Sequence, residues 1–218
     1  GMDPKLKEQV LKTIDVMSKL GMEMVEISIP HSVYALPVYY IITPSEISAN
    51  MSRYDGIRFG NTSLEARDVL DLYLKSREIF EDEVKRRIFI GNYALSSGYY
   101  DAYYNKAMQV RTLILKEMEE TFKKVDVIVG PTTPTPSFKI GENTADPVAM
   151  YLADIFTVTS NIAGIPSISI PCGLADGLPV GFQIMGKQFD EKSVLDAAYA
   201  VEKEIRFADN YSPDMKKL

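Results

Sequence analysis

From Pro147 to Ala175 the chain carries a single charge, Asp154, and this near-neutral stretch sets the terms for the fold. A segment so poor in charge must be buried, in lipid or in a protein core. A spanning helix needs about 20 predominantly apolar residues in a row, and this stretch holds Thr157, Thr159, Ser160, Asn161, Gly164 and Pro166. It is too polar and too broken for a membrane. It reads instead as a buried helix over 147–163, then a buried strand over 167–170 that stops at Pro171. Burial on that scale demands a sizeable core. A chain of 218 residues, 46% hydrophobic and 25% charged, can supply one.

The remaining pattern alternates helix and strand. Residues 4–20 predict an amphipathic helix, with Asp3 as N-cap, Pro4 at the first helical position and Gly21 as the stop. Leu6, Val10, Ile14 and Met17 recur at its helical spacing. Residues 24–29 read as a strand ending at Pro30. Residues 34–54 predict a tyrosine-rich, largely uncharged helix interrupted near Pro44. Charged helices are expected over 64–80 and 82–123, the second with a break at Ser96-Ser97-Gly98. Residues 125–129 predict a buried strand before a proline and threonine loop, Pro131 to Pro136. Gly177-Leu178-Pro179 is a turn, 180–185 a strand, and 190–205 a helix capped by Asp190. The fold class is α/β, a mixed β-sheet flanked by helices, with 1–218 as a single region. Three or four strands are few for so many apolar helices, so the pattern suggests an incomplete fold.

Charge and cysteine content narrow the function. Net charge is −6, and the densest basic run is Lys85-Arg86-Arg87, so a nucleic-acid backbone would be repelled by most of this surface. One cysteine, Cys172, allows no internal disulfide, which fits a reducing, cytoplasmic setting. Residues 1–4 lack the basic region and apolar run of a signal peptide. With one histidine and one cysteine, no zinc constellation can form.

No nucleophile stands out. His31 follows Pro30 in a strand-to-helix turn, and the turn role is preferred over a triad role. Cys172 reads as a buried structural thiol at a strand end rather than as half of a Cys–His pair. There is no Walker A run, no dinucleotide fingerprint and no Gly-x-Ser-x-Gly elbow. Ser96-Ser97-Gly98 sits in a helical pattern without a nearby base.

Several stretches nevertheless carry a resemblance. They are Tyr39 to Gly56, Glu83 to Gly91, Ser97 to Tyr104, Asp126 to Pro134, Asp146 to Thr157, Asn161 to Gly173, and Asp176 to Gly186. From about residue 3 to about residue 205 they resemble the C-terminal half of the amidase-signature family, in its branch of glutamine-hydrolysing components of tRNA-dependent amidotransferases. The Gly177-Leu178-Pro179-Val180-Gly181 strand motif is shared across the wider family. The stretches around Arg87, Tyr99–Tyr104 and Tyr151–Ile155 point to the amidotransferase branch.

The resemblance implies glutamine hydrolysis by a Ser–cis-Ser–Lys triad near a Gly-Gly-Ser-Ser-Gly-Gly stretch. No such stretch occurs in these residues, so no catalytic residue can be assigned. The family binds the α-carboxylate and α-ammonium of glutamine. By motif match Arg87 would hold the carboxylate, Asp154 the ammonium, and Tyr39 would line the pocket. An arginine fork suits a carboxylate, and a buried carboxylate such as Asp154 needs a partner. The plainer readings are a surface Arg87, a structural Asp154 and a core Tyr39. The resemblance also implies partners: glutamine, an N-terminal half, and other amidotransferase subunits that bring ATP, Mg and most tRNA contacts. No cofactor is expected on this chain. Two rivals stand beside this reading, a fragment of a stand-alone amidase and a non-catalytic interaction module.

Overall fold

Asp3 opens the first helix as its sequence requires: its carboxylate accepts the backbone N–H groups of Lys5 and Leu6. The computed structural model describes residues 2–62, 65–142 and 147–211. Residue 64 of an expected helix, and Asp146 of a motif quoted above, lie outside them. The chain forms two compact units, residues 1–36 with 113–218, and residues 37–112.

The first unit is built on α1 (Pro4–Lys19), the end of α5 (Lys106–Thr121), β1 (Val127–Pro131), β2 (Ser167–Ala175), β3 (Leu178–Gly186) and α8 (Glu191–Ile205). The three strands form a sheet of order β1-β3-β2, with both ladders antiparallel. Alternation along β3 sends Phe182 and Ile184 to one face, and Gln183 and Met185 to the other. On the first face, Leu6, Val10 and Met17 of α1 and Val194, Ala198 and Val201 of α8 complete the main core. On the second, Met185 packs with Ile128, Met118 and Ala163. The β2–β3 hairpin turns on two residues, Asp176 and Gly177, with φ of 51° and 78°. Positive φ at both positions matches the right-handed twist of the strands, and Asp-Gly accepts it readily.

The second unit holds most of α2 (Ala35–Met51), α3 (Val69–Glu78), α4 (Asp82–Leu95), a π-helical turn (Asp101–Asn105) and the start of α5. The expected break after α4 is present. Ser96 donates to the carbonyl of Tyr93, and Gly98 takes φ +89°.

Several expectations are corrected. β2 does not stop at Pro171 but runs to Ala175, with a bulge between Pro171 and Gly173, and Leu178 and Pro179 belong to β3 rather than to a turn. Residues 24–29 belong to no ladder. Their alternation reflects Ile27 and Ile29 packing inward, and a buried face does not by itself provide a neighbouring strand. α2 runs through Pro44 without interruption, since one missing N–H can be tolerated within a well-packed helix. The expected helix over 147–163 is two, α6 (Pro147–Leu152) and α7 (Val158–Ala163), parted by turns at 153–157. There the carbonyl of Asp154 accepts from the Thr157 N–H, the Val158 N–H and the Thr157 hydroxyl, which draws the backbone out of regular helix.

Among the described residues no helix is long and apolar enough to cross a membrane. A short last helix, α9 (Phe207–Tyr211), follows α8.

Candidate substrate-binding site

Arg87 lies on α4, and its orientation follows from how α4 meets α2. The contact is set at Gly91, one turn further along. A Cβ there would run into the carbonyl of Pro44 and come within 2.7 Å of Ser48 Cβ. Glycine therefore allows the two backbones to approach. Beside it, the Ser48 hydroxyl donates to Asn92 Oδ1 at 2.6 Å. Arg87 shares a helix face with Gly91, so it too is turned toward α2.

The side chain of Arg87 is 23% exposed. Its Nε donates to Glu83 Oε1 at 2.9 Å, and its guanidinium carbon lies 5.8 Å from the centre of the Tyr40 ring. Tyr39 meets Tyr40 edge-on at 5.1 Å. Burial works against the charge on Arg87, but hydrogen bonds to Glu83 and Tyr39 outweigh it. The guanidinium is held above its ordinary value and stays a cation. Two residues singled out from the sequence, Arg87 and Tyr39, are thus neighbours. The surface reading of Arg87 is set aside.

Glu83 and Tyr40 were missed as members of this group. The signal for Glu83 was present, because Glu four residues before Arg is a standard helix pair. Tyr40 adds an aromatic wall, worth about 0.5–1 kcal/mol or more against a cation as solvent is excluded.

Asp154 sits in the turn between α6 and α7, in the other unit. It is half-buried, which corrects the expectation of a carboxylate sunk in the core. The next residues, Ile155 and Phe156, with Thr159 on α7, form one wall of a crevice of about 440 Å³. Gln183 of β3 lies on its floor, buried, with its amide donating to the carbonyl of Phe156 at 3.3 Å. That bond ties the Asp154 turn to the sheet.

The other candidates fall into structural roles. Cys172 packs with Leu6 and Val10 in the main core, and burial pushes its thiol up. His31 opens a 3-10 turn (Pro30–Tyr34), where its N–H and Nδ1 both meet the Glu117 carboxylate, at 3.0 and 3.1 Å. It pairs with Glu117 and not with Cys172. Tyr93, Tyr99 and Tyr103 form an exposed cluster, with ring centres 4.4–6.0 Å apart. Hydrogen bonding with Tyr99 and then burial push the Tyr93 hydroxyl up to about 12, so it stays protonated. Among the described residues no group of three or more His, Cys, Asp or Glu could hold a metal.

The model of the Amidase family matches residues 1–195. The chain belongs to the amidase family. Within that family it is 60% identical over 208 residues to the A component of the glutamyl-tRNA(Gln) amidotransferase of Caldanaerobacter subterraneus, covering 95% of this chain and 43% of that protein. The chain therefore spans less than half the length of that relative. The crystal structure of the corresponding amidotransferase component from Thermotoga maritima is 37% identical, with a TM-score of 0.71, covering 94% of this chain and 40% of that one. A bacterial aryl acylamidase superposes equally well, at a TM-score of 0.71 over 96% of this chain and 42% of that one, but is 22% identical and shows the fold alone. These amidases confirm the expected fold class. Identity to the two amidotransferase components is higher than to the aryl acylamidase.

Proposed function

We propose that this chain is the substrate-holding portion of the glutamine-hydrolysing subunit of a tRNA-dependent amidotransferase. The observation that carries the reading is Arg87: a half-buried cation whose Nε is fixed by Glu83, and which hydrogen-bonds Tyr39 and has the Tyr40 ring beside it. With Nε given to Glu83 and one further bond made to Tyr39, the remaining guanidinium N–H groups are the ones a second carboxylate would meet. That is the chemistry of an amino-acid α-carboxylate site. Asp154, half-buried on a turn anchored to the sheet, takes the α-ammonium. The two residues lie in different units, and each role has its own test.

The complete subunit would hydrolyse glutamine through an acyl-enzyme on a serine outside these 218 residues. The released ammonia would pass to a partner subunit that activates misacylated Glu-tRNA(Gln), or Asp-tRNA(Asn), with ATP and Mg. The acidic surface here agrees with tRNA being held mainly by partners.

The test uses a chimera in which this chain replaces the matching stretch of the full-length Caldanaerobacter relative. Arg87→Ala should lower kcat/KM for glutamine by about 30–100-fold, the loss of about 2–3 kcal/mol expected for a charge-assisted contact. Asp154→Asn should act in the same direction, chiefly through KM. Unchanged glutamine kinetics in either variant removes that residue from the site.

A further inference from the structure

The basic run Lys85-Arg86-Arg87 places two arginines on one carboxylate. Glu83, in the first turn of α4, accepts from Arg87 Nε through Oε1 at 2.9 Å and from Arg86 Nη1 through Oε2. Lys85 turns elsewhere, with its Nζ donating to the Glu78 carbonyl at 3.2 Å. Each oxygen of Glu83 thus carries an arginine.

A carboxylate so placed has three conceivable roles. It can support the helix, as a first-turn acid and as an i,i+4 partner. It can compete with a substrate carboxylate for Arg87. Or it can set the Arg87 guanidinium in place for that substrate. Placement and charge decide among them. Asp82, exposed, already supplies acid to the first turn, whereas Glu83 recurs with Arg87 and Gly91 on the face turned toward α2. Competition is blunted by Arg86. Glu83 with Arg87 alone would form a neutral pair, with little pull on a further anion. With Arg86 on the second oxygen the trio keeps a net positive charge.

The third role remains, and it has a clear benefit. An arginine side chain has several rotatable bonds, and ordering them at the moment of binding weakens affinity. Bonds to Glu83 and Tyr39 order Arg87 beforehand. They use only part of its five N–H donors, so a paired contact with a carboxylate stays open.

We infer that Glu83 is a positioning residue for recognition of the substrate α-carboxylate: it holds the Arg87 guanidinium in place, and Arg86 offsets its charge so that Arg87 keeps its attraction. This role rests on the proposed function, because it needs Arg87 to meet that carboxylate.

The same chimera provides the test, with KM and kcat for glutamine read separately. Glu83→Ala should raise KM about 5–10-fold, the range for ordering one long side chain on binding, and keep kcat within about 2-fold. Glu83→Gln keeps an oxygen for Arg87 Nε and should recover most of the lost KM. In the Arg87→Ala background, removing Glu83 should add no further loss. A lower KM in Glu83→Ala would make Glu83 a competitor, and an unchanged KM a bystander; either overturns the inference. So does Glu83→Gln behaving like alanine, since charge rather than held geometry would then be the agent. An added loss in the Arg87→Ala background also overturns it, as the mark of a helix-supporting role. A second measurement needs no turnover: nitrogen NMR relaxation of the Arg87 Nε–H group in the 218-residue chain. That group should be as rigid as the backbone in the parent and in Glu83→Gln, and mobile in Glu83→Ala. A mobile group in the parent counts against the inference. Failure of the proposed function has a different pattern: Arg87→Ala leaves glutamine kinetics unchanged, while Nε still loosens in Glu83→Ala.

Discussion

Arg87 and Asp55 show opposite ways of keeping a charge in partly buried surroundings. Arg87 has one carboxylate partner, a hydrogen bond with Tyr39 and the Tyr40 ring beside it. Asp55 is buried but accepts the backbone N–H groups of Ile57, Arg58 and Phe59, together with Arg58 Nε. The Ile57 and Arg58 N–H bonds lead in holding its carboxyl well below the usual carboxylate range. A carboxyl depressed in the folded state contributes stability that is complete above its unfolded value of about 3.9 and is lost as pH falls further. Melting temperature should therefore drop as pH falls below about 4. Asp55→Asn should flatten that part of the profile and lower stability at neutral pH. A variant whose acid profile overlays the parent would deny Asp55 this role. Cys172 makes a complementary point. Buried against Leu6 and Val10 with its thiol pushed up, it should resist a thiol reagent at neutral pH until the chain is unfolded. Rapid labelling of folded protein would show that the main core is open.

At the scale of elements, close approach of helices matters more than helix propensity. Gly91 costs α4 up to about 1 kcal/mol relative to alanine. Yet Gly91→Ala should destabilise, by about 1–3 kcal/mol, because the added methyl meets the Pro44 backbone and Ser48. Thermal unfolding measures this, and a rise in melting temperature would mean that α2 and α4 can separate freely. The same contact explains what the sequence could and could not disclose. Caps and periodicity are local, so α1 and α8 were legible; the β2–β3 hairpin was legible only in part, because β2 runs on past Pro171 to Ala175 and the turn falls at Asp176-Gly177 rather than at Gly177-Leu178-Pro179. The pairing of Arg87 with its helix neighbour Glu83 was legible too, had the spacing been used. The side of α4 that faces α2 was not legible, since residue 87 is flanked by apolar Val84, Ile88 and Phe89. Gly91 decides it through a contact made across the fold. Residues 24–29 failed for a related reason: alternation reports a buried face, while a ladder needs a neighbour elsewhere in the structure. Asp154 was marked by the absence of other charges around it, but the turn that half-exposes it depends on the carbonyl bonds around Thr157.

At the scale of the whole molecule, an amidase fold carries the cation site proposed at Arg87, and the nucleophile candidates singled out among the described residues have structural surroundings. His31 is engaged by Glu117, Cys172 is buried, and Ser96 turns its hydroxyl to the Tyr93 carbonyl. Each of these three groups is thus engaged in holding structure. The amidase relatives extend well beyond the matched region. The account therefore assigns substrate holding to this chain and bond breaking to sequence outside it. The direct test is ammonia release from glutamine, measured on the purified 218-residue chain and on the chimera side by side. The account predicts release by the chimera and none above background from the chain by itself. Steady turnover of glutamine by the pure 218-residue chain would contradict it.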